Sequence, residues 1–175
     1  RVANNMGGNA VAVAEVTVAL MVSTYRRLMV QWNDMNNLGK YGDGFSSDWG
    51  RFHELTGKRV GIVGLGQIGS RVAKRLAGWE CEIVYSDVVS HSDDYEAAAG
   101  AKRVDFDELV ETSDVISLHV PLDRSTEKIL SDREFSKMKP GAIVINACRG
   151  PVVDEVALIR ALDAGEIAGA GLDVT

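Results

Sequence analysis

The chain has 175 residues, 46% hydrophobic and 25% charged, a composition that excludes disordered, collagenous and disulfide-scaffold proteins. Nineteen Lys and Arg against 25 Asp and Glu leave a net charge of −6, which repels phosphate backbones and argues against a nucleic-acid partner. Two cysteines, Cys81 and Cys148, share no CxxC spacing, so neither a metal site nor a disulfide is expected, and a reducing cytoplasm fits.

The most apolar stretch, 10–22, is 13 residues long and carries Glu15 and Thr17. A membrane span needs roughly 20 apolar residues, so no membrane segment is expected. It does not read as a secretory signal either, since Arg1 is its only basic flank and no small-residue cleavage site follows. Residues 10–36 instead read as one long helix, with Val11, Ala14, Val18, Met21, Val22, Tyr25, Leu28 and Met29 on a common face. Val13, Val16 and Leu20 widen that face beyond one stripe, so a second packing partner is needed, and a homodimer is expected. The stretch 39–50, with four glycines and Tyr41, Phe45 and Trp49, reads as an arm that docks on another surface. The chain opens at Arg1 and stops at Thr175 directly after an apolar run, which reads as a piece of a longer polypeptide.

From Lys58 short β-branched runs alternate with helical stretches. The expected strands are 59–63, 82–86, 102–104, 115–119, 142–146 and 169–174. The expected helices are 67–78, 93–99, 105–111, 132–138 and 154–164, with Asp105 and Asp154 as N-caps and Gly165 as a C-terminal stop. Apolar strands alternating with helices imply an α/β fold, a doubly wound parallel sheet covered on both faces. Right-handed crossovers then favour the strand order 3-2-1-4-5-6. The chain accordingly divides into an N-terminal helix and arm, 1–50, and a single α/β core, 51–175.

The strongest local motif is Val60-Gly61-Ile62-Val63-Gly64-Leu65-Gly66-Gln67-Ile68-Gly69, a GxGxxG that follows an apolar strand and opens a helix. In that context Gly64 permits the tight turn, Gly66 lets a pyrophosphate approach the backbone, and Gly69 lets the helix pack closely on the strand. The helix start presents N–H groups to the phosphates. Asp87 stands 18 positions after Gly69, where a carboxylate would accept from the adenosine ribose hydroxyls. It would repel a 2′-phosphate, and no Arg or Lys occurs among the next few residues, so NAD is favoured over NADP.

Further along, Val120 and Pro121 end the fourth strand and offer an apolar wall to the adenine side. His119 reads first as a strand-end histidine and second as a general base, while Thr126 either caps the next helix or touches the cofactor. The fifth strand delivers Asn146, Ala147, Cys148 and Arg149 to the same sheet edge. A guanidinium there grips a carboxylate in bidentate fashion and stays charged at any working pH. Cys148 reads as a small apolar pocket residue rather than a reactive thiol. Asp173 closes the sixth strand and is placed either to accept from a carboxamide or to serve as a turn residue.

Taken together, the glycine motif, Asp87, His119-Val120-Pro121, the run 146–154 (NACRGPVVD) and the run 169–174 (GAGLDV) resemble the NAD-dependent D-2-hydroxyacid dehydrogenases. Val13-Ala14-Glu15 looks like the helix that opens that family's cofactor domain, so the resemblance spans essentially the whole chain. It implies an NAD-binding domain inserted in a split substrate domain that these 175 residues do not include. It implies that Gln67 and Ile68 meet the pyrophosphate by backbone amides and that Asp87 holds the ribose. Val120 and Ala147, Cys148 and Arg149 would line the cofactor, and Asp173 would bind the carboxamide. Arg149 matches the arginine that holds the substrate, a small 2-hydroxy or 2-keto acid. The family's acid–base Glu–His pair would fall beyond Asp173, and none of His53, His91 and His119 matches that histidine. The alternative is a non-catalytic NAD-binding module, like the transcriptional corepressors that resemble the same family.

Overall fold

Three strands of continuous apolar sequence need cover on both faces, and the fold places them side by side. The computed structural model describes residues 7–39 and 54–175. Strand β1 (Arg59–Val63) lies between β2 (Glu82–Ser86) and β4 (Val115–Leu118), and β5 (Ile143–Asn146) follows β4. The short β3 (Lys102–Arg103) and β6 (Gly169–Leu172) form the two edges. All five pairings are parallel and the order is β3-β2-β1-β4-β5-β6, as the sequence reading expects.

Helices sort onto the two faces by their apolar stripes. One face carries α5 (Phe106–Thr112), α6 (Asp132–Phe135) and α7 (Glu155–Ala164), which bury Leu109, Phe135, Ala157 and Ala161 against Ile116, Leu118 and Val144. The other carries α1 (Ala10–Tyr25), α3 (Gly69–Arg75) and α4 (Asp93–Ala99), closing over Val60, Ile62 and Ile145. Asp154 caps α7 by accepting from the N–H groups of Val156 and Ala157 at 3.1 and 3.2 Å, and Gly165 ends it at φ 71°. Asp105 occupies the N-cap position of α5 but makes no side-chain capping bond, contrary to expectation.

The expected long N-terminal helix is instead two helices. Helix α1 stops at Tyr25, Arg27 adopts a left-handed φ of 51°, and α2 (Leu28–Leu38) sets off afresh. Hydrophobic periodicity does not register a single left-handed residue, which is why the break is silent in the sequence. Tyr25 explains where α1 must stay: its hydroxyl donates to the Asp114 carbonyl at 2.9 Å, and burial pushes its phenol pKa well up. The buried stripe of α1 is Ala10, Ala14, Thr17, Met21 and Tyr25, while Val11 is half-exposed rather than on the core face. Small residues in β6 let α1 approach: a Cβ on Gly171 would meet Thr24 Oγ1 at 2.8 Å.

Several boundaries also shift by one to three residues, the largest at the ends of α3 and α6. Strand β4 ends at Leu118 because its neighbour β1 ends at Val63, although the His119 N–H still reaches Val63 O at 2.8 Å. Helix α3 begins at Gly69, two residues after the expected start, because Gln67 and Ile68 form the turn that leads into it. The expected arm from Lys40 onward, including its aromatic residues, lies outside the described residues, as does His53.

Candidate dinucleotide site

A parallel sheet brings the ends of all its strands to one edge, and the order reverses between β1 and β4. That switch point is where α/β sheets of this kind open a crevice. The glycine turn leaves β1 there. Gly64 has φ 92°, and a Cβ on it would stand 2.7 Å from the His119 carbonyl and 3.0 Å from Val120 Cγ1. Gly69 is tighter still, since a Cβ there would fall 2.1 Å from the Gly64 carbonyl. Gly66 is the opposite case: it is exposed, with nothing within 4 Å of a built Cβ. Among the described residues no acceptor meets the backbone N–H groups of Gly66, Gln67 or Ile68. Three unspent donors beside an open glycine form a cradle for an anionic group, so a dinucleotide pyrophosphate fits.

The turn is held from below by β2 and α4. The Gly64 N–H donates to Ser86 O at 2.8 Å, and the Tyr95 hydroxyl donates to Leu65 O at 3.1 Å. Asp87 accepts from the Leu65 N–H at 2.7 Å and from the Val89 N–H at 2.9 Å. A carboxylate offers about four acceptor positions, so two remain for ribose hydroxyls. His91 stacks on Tyr95 with ring centroids 4.6 Å apart and brings Nε2 to 3.5 Å from Asp87 Oδ2. Arg103, from β3, donates to the Asp87 carbonyl and to Ser90 Oγ, both at 2.8 Å.

Tyr95, His91 and Arg103 were not singled out in the sequence. Arg103 follows Asp87 by 16 positions and comes abreast of it only because β3 pairs with β2. The signal that could have found it was a basic residue in the strand after the acidic one.

Across the switch point, Val120 is half-buried and Pro121 exposed. The Thr126 hydroxyl is committed to its own loop, donating to Pro121 O at 2.6 Å and accepting from the Asp123 N–H at 2.9 Å. Burial pushes the pKa of His119 down to about 4, with Nε2 2.9 Å from Ser117 Oγ and Nδ1 buried without a partner among the described residues. Its ring is neutral at ordinary pH, and its polar contact is to Ser117, two residues earlier in the chain.

Beyond β5 the chain turns around Asn146, itself buried. Asn146 Nδ2 donates to Arg149 O at 2.9 Å, and its Oδ1 accepts from the Cys148 N–H at 3.1 Å. This turn leaves Arg149 exposed while Ala147 and Cys148 stay buried. Burial raises the Cys148 thiol pKa, with the N–H groups of Arg149 and Val120 opposing, so the thiol stays protonated and unreactive. Asp173 is exposed, and its N–H donates to Asn146 O at 2.9 Å. The ends of β1, β2, β4, β5 and β6 therefore bring the glycine turn, Asp87, Val120, Pro121, the run 147–149 and Asp173 to one edge, with Thr126 tied to Pro121 in the loop after β4. Among the described residues no group of His, Cys, Asp and Glu could hold a metal, and no helix is long and apolar enough to cross a membrane.

A doubly wound parallel sheet with a glycine turn and a carboxylate at its switch point defines a dinucleotide-binding domain. The family model for the D-isomer specific 2-hydroxyacid dehydrogenase NAD-binding domain matches residues 18–175, and the chain belongs to that family. It is 40% identical over 163 residues to a glyoxylate reductase of Thermofilum pendens, covering 93% of this chain and 48% of the relative. It is also 40% identical over 177 residues to a D-3-phosphoglycerate dehydrogenase of Archaeoglobus fulgidus, covering 99% and 32%. Among solved structures, D-mandelate dehydrogenase of Rhodotorula graminis superposes with a TM-score of 0.91 at 33% identity, covering 98% of this chain and 51% of that one. D-lactate dehydrogenase of Lactobacillus jensenii, solved with NAD+, gives 0.81 at 36% identity, covering 93% and 47%. The chain thus spans about a third to a half of the length of these relatives.

Proposed function

We propose that this domain holds NAD(H) for an oxidoreductase that moves a hydride between nicotinamide and C2 of a small D-2-hydroxy acid or its 2-keto acid. The observation that carries this reading is the glycine turn: three N–H groups without acceptors among the described residues at an open Gly66, beside a carboxylate with acceptor capacity to spare. Gly64, Gly66, Gln67, Ile68 and Gly69 form the pyrophosphate cradle, and Asp87 takes the adenosine ribose. Val120 and Pro121 wall the adenine side, with Thr126 fixing the loop behind them. Ala147 and Cys148 line the cofactor, and Asp173 accepts from the carboxamide. Nicotinamide, when bound, supplies or takes the hydride.

Arg149 is the catalytic residue of this half. Asn146 fixes its main chain, and its exposed guanidinium meets the carboxylate and keto oxygen of the substrate. The region 1–50 serves as helix and dimerisation arm, 51–175 as cofactor core, and a separate substrate domain completes the enzyme. Two free thiols, Cys81 and Cys148, support a cytoplasmic location. The net charge of −6 supports a function without nucleic acid or membrane partners.

The test is a fluorescence titration of this chain with NADH, followed by assays of glyoxylate, hydroxypyruvate and pyruvate reduction. Binding without turnover is expected, because none of the three histidines in these 175 residues matches the family's acid–base histidine, and a general acid is worth about 10²–10⁴ in rate. Positioning of the substrate by a facing domain is worth a further factor. Failure to bind NADH overturns the cofactor reading. Turnover abolished by Arg149→Ala would show that these 175 residues hold their own proton-transfer group.

A further inference from the structure

The neighbourhood of Asp87 holds a cation that the chain order conceals. Arg103 sits on the edge strand β3, is exposed, and reaches over to the loop after β2. Its Nη2 donates to the Asp87 carbonyl and its Nη1 to Ser90 Oγ, each at 2.8 Å. A guanidinium carries five N–H donors in a rigid fork, so these two bonds orient the group and, among the described residues, leave three donors unspent. The residue that would read the ribose therefore has a fixed positive fork on its own main chain. Ser90, an exposed hydroxyl, adds a second polar group to the same corner.

We propose that Arg103 is a specificity-determining residue of this crevice: it forms a ready seat for a ribose 2′-phosphate, and the Asp87 carboxylate alone keeps that seat closed. The inference rests on the reading that Asp87 faces the adenosine ribose. A 2′-phosphate carries close to two negative charges, which the Asp87 carboxylate repels and the Arg103 fork attracts. Removing the carboxylate leaves the attraction unopposed. Selectivity for NAD here is thus a balance between two side chains, one directly after β2 and one from β3.

The experiment measures dissociation constants of NADH and NADPH for the whole chain, by fluorescence, in wild type, Asp87→Ser, and Asp87→Ser with Arg103→Gln or Arg103→Lys. The readout is the ratio of the two constants, which a general loosening of the loop would not move. Wild type should prefer NADH. Asp87→Ser should shift the ratio toward NADPH by about tenfold to a hundredfold, the worth of one or two charge-assisted bonds. Adding Arg103→Gln should cancel most of that shift, and Arg103→Lys should keep part of it by charge without the fork. If Asp87→Ser shifts the ratio and Arg103→Gln leaves the shift intact, the inference is overturned while the cofactor reading stands. If wild type binds neither dinucleotide, the cofactor reading falls and takes the inference with it.

Discussion

The Asp87 carboxylate lies 2.7 Å from the backbone N–H of Leu65, joining the end of the second strand to the middle of the glycine turn. With the Val89 N–H on its other oxygen, it stabilises the shape of the glycine turn and of its own loop. The side chain is only 12% exposed, so neither bond is easily replaced by water. Asp87→Ala should therefore cost stability as well as affinity, by about 1.5–3 kcal/mol for hydrogen bonds to a charged group. Denaturant unfolding checks this, and Asp87→Asn, which keeps an acceptor, should recover part of the loss. An Asp87→Ala midpoint equal to wild type would mean that the carboxylate faces ligand alone.

Two glycines of one motif should fail in opposite ways. Gly69→Ala puts a methyl 2.1 Å from the Gly64 carbonyl, which must move, so the helix lifts off the strand. Overpacking of that kind costs about 1–3 kcal/mol, and thermal unfolding should show it. Gly66→Ala meets nothing within 4 Å, so the folded chain should tolerate it. The methyl would instead occupy the approach of the pyrophosphate, and NADH affinity should fall at least tenfold. Intact NADH binding in Gly66→Ala would remove this glycine from the cradle.

What the sequence made legible follows from what is local. Strands β1 and β2 and helix α4 begin and end where patterning places them, because apolar runs bounded by turn residues carry their own limits. The edge assignment of Gly64, Asp87, Arg149 and Asp173 was equally legible, since parallel topology sends every strand end to one side. The left-handed Arg27 was not, because nothing in its residue type requires a positive φ. Nor was Arg103, whose relation to Asp87 exists only through the β2–β3 pairing. Asn146 belongs to a legible motif, yet its amide's hold on the loop to Arg149 arises only from the folded turn.

Helix α2 turns away from the sheet with Met29 at 65% and Trp32 at 60% exposure, and Leu28, Val30 and Met35 beside them. The apolar surface that calls for a partner thus sits on α2 more than on α1. A symmetric dimer through this helix would cover it. Sedimentation equilibrium should give twice the 18.9 kDa chain mass, and Trp32→Asp should return it to the monomer value. A wild-type monomer at high concentration would reject α2 as a dimer contact.

His119 should set an acid limit on stability. Its ring is neutral in the folded chain because burial opposes the charge, and its pKa falls from 6.5 to about 4. Ser117 Oγ is the polar group against Nε2, and Nδ1 meets no partner among the described residues, so no carboxylate there compensates a proton. In the unfolded chain the imidazole takes up a proton near its ordinary pKa. Between these two values the unfolded state binds more protons than the folded one, so stability falls as pH falls. The contribution is fully present above pH 6.5 and is lost as the pH drops through about 4. The full window corresponds to roughly 3 kcal/mol at 1.36 kcal/mol per unit. The measurement is urea unfolding at several pH values for wild type and His119→Phe, which keeps a ring and removes the titration. The difference in free energy between the two should change with pH across this window and level off above it. Parallel profiles throughout would show that His119 reaches water in the folded chain and takes up its proton there.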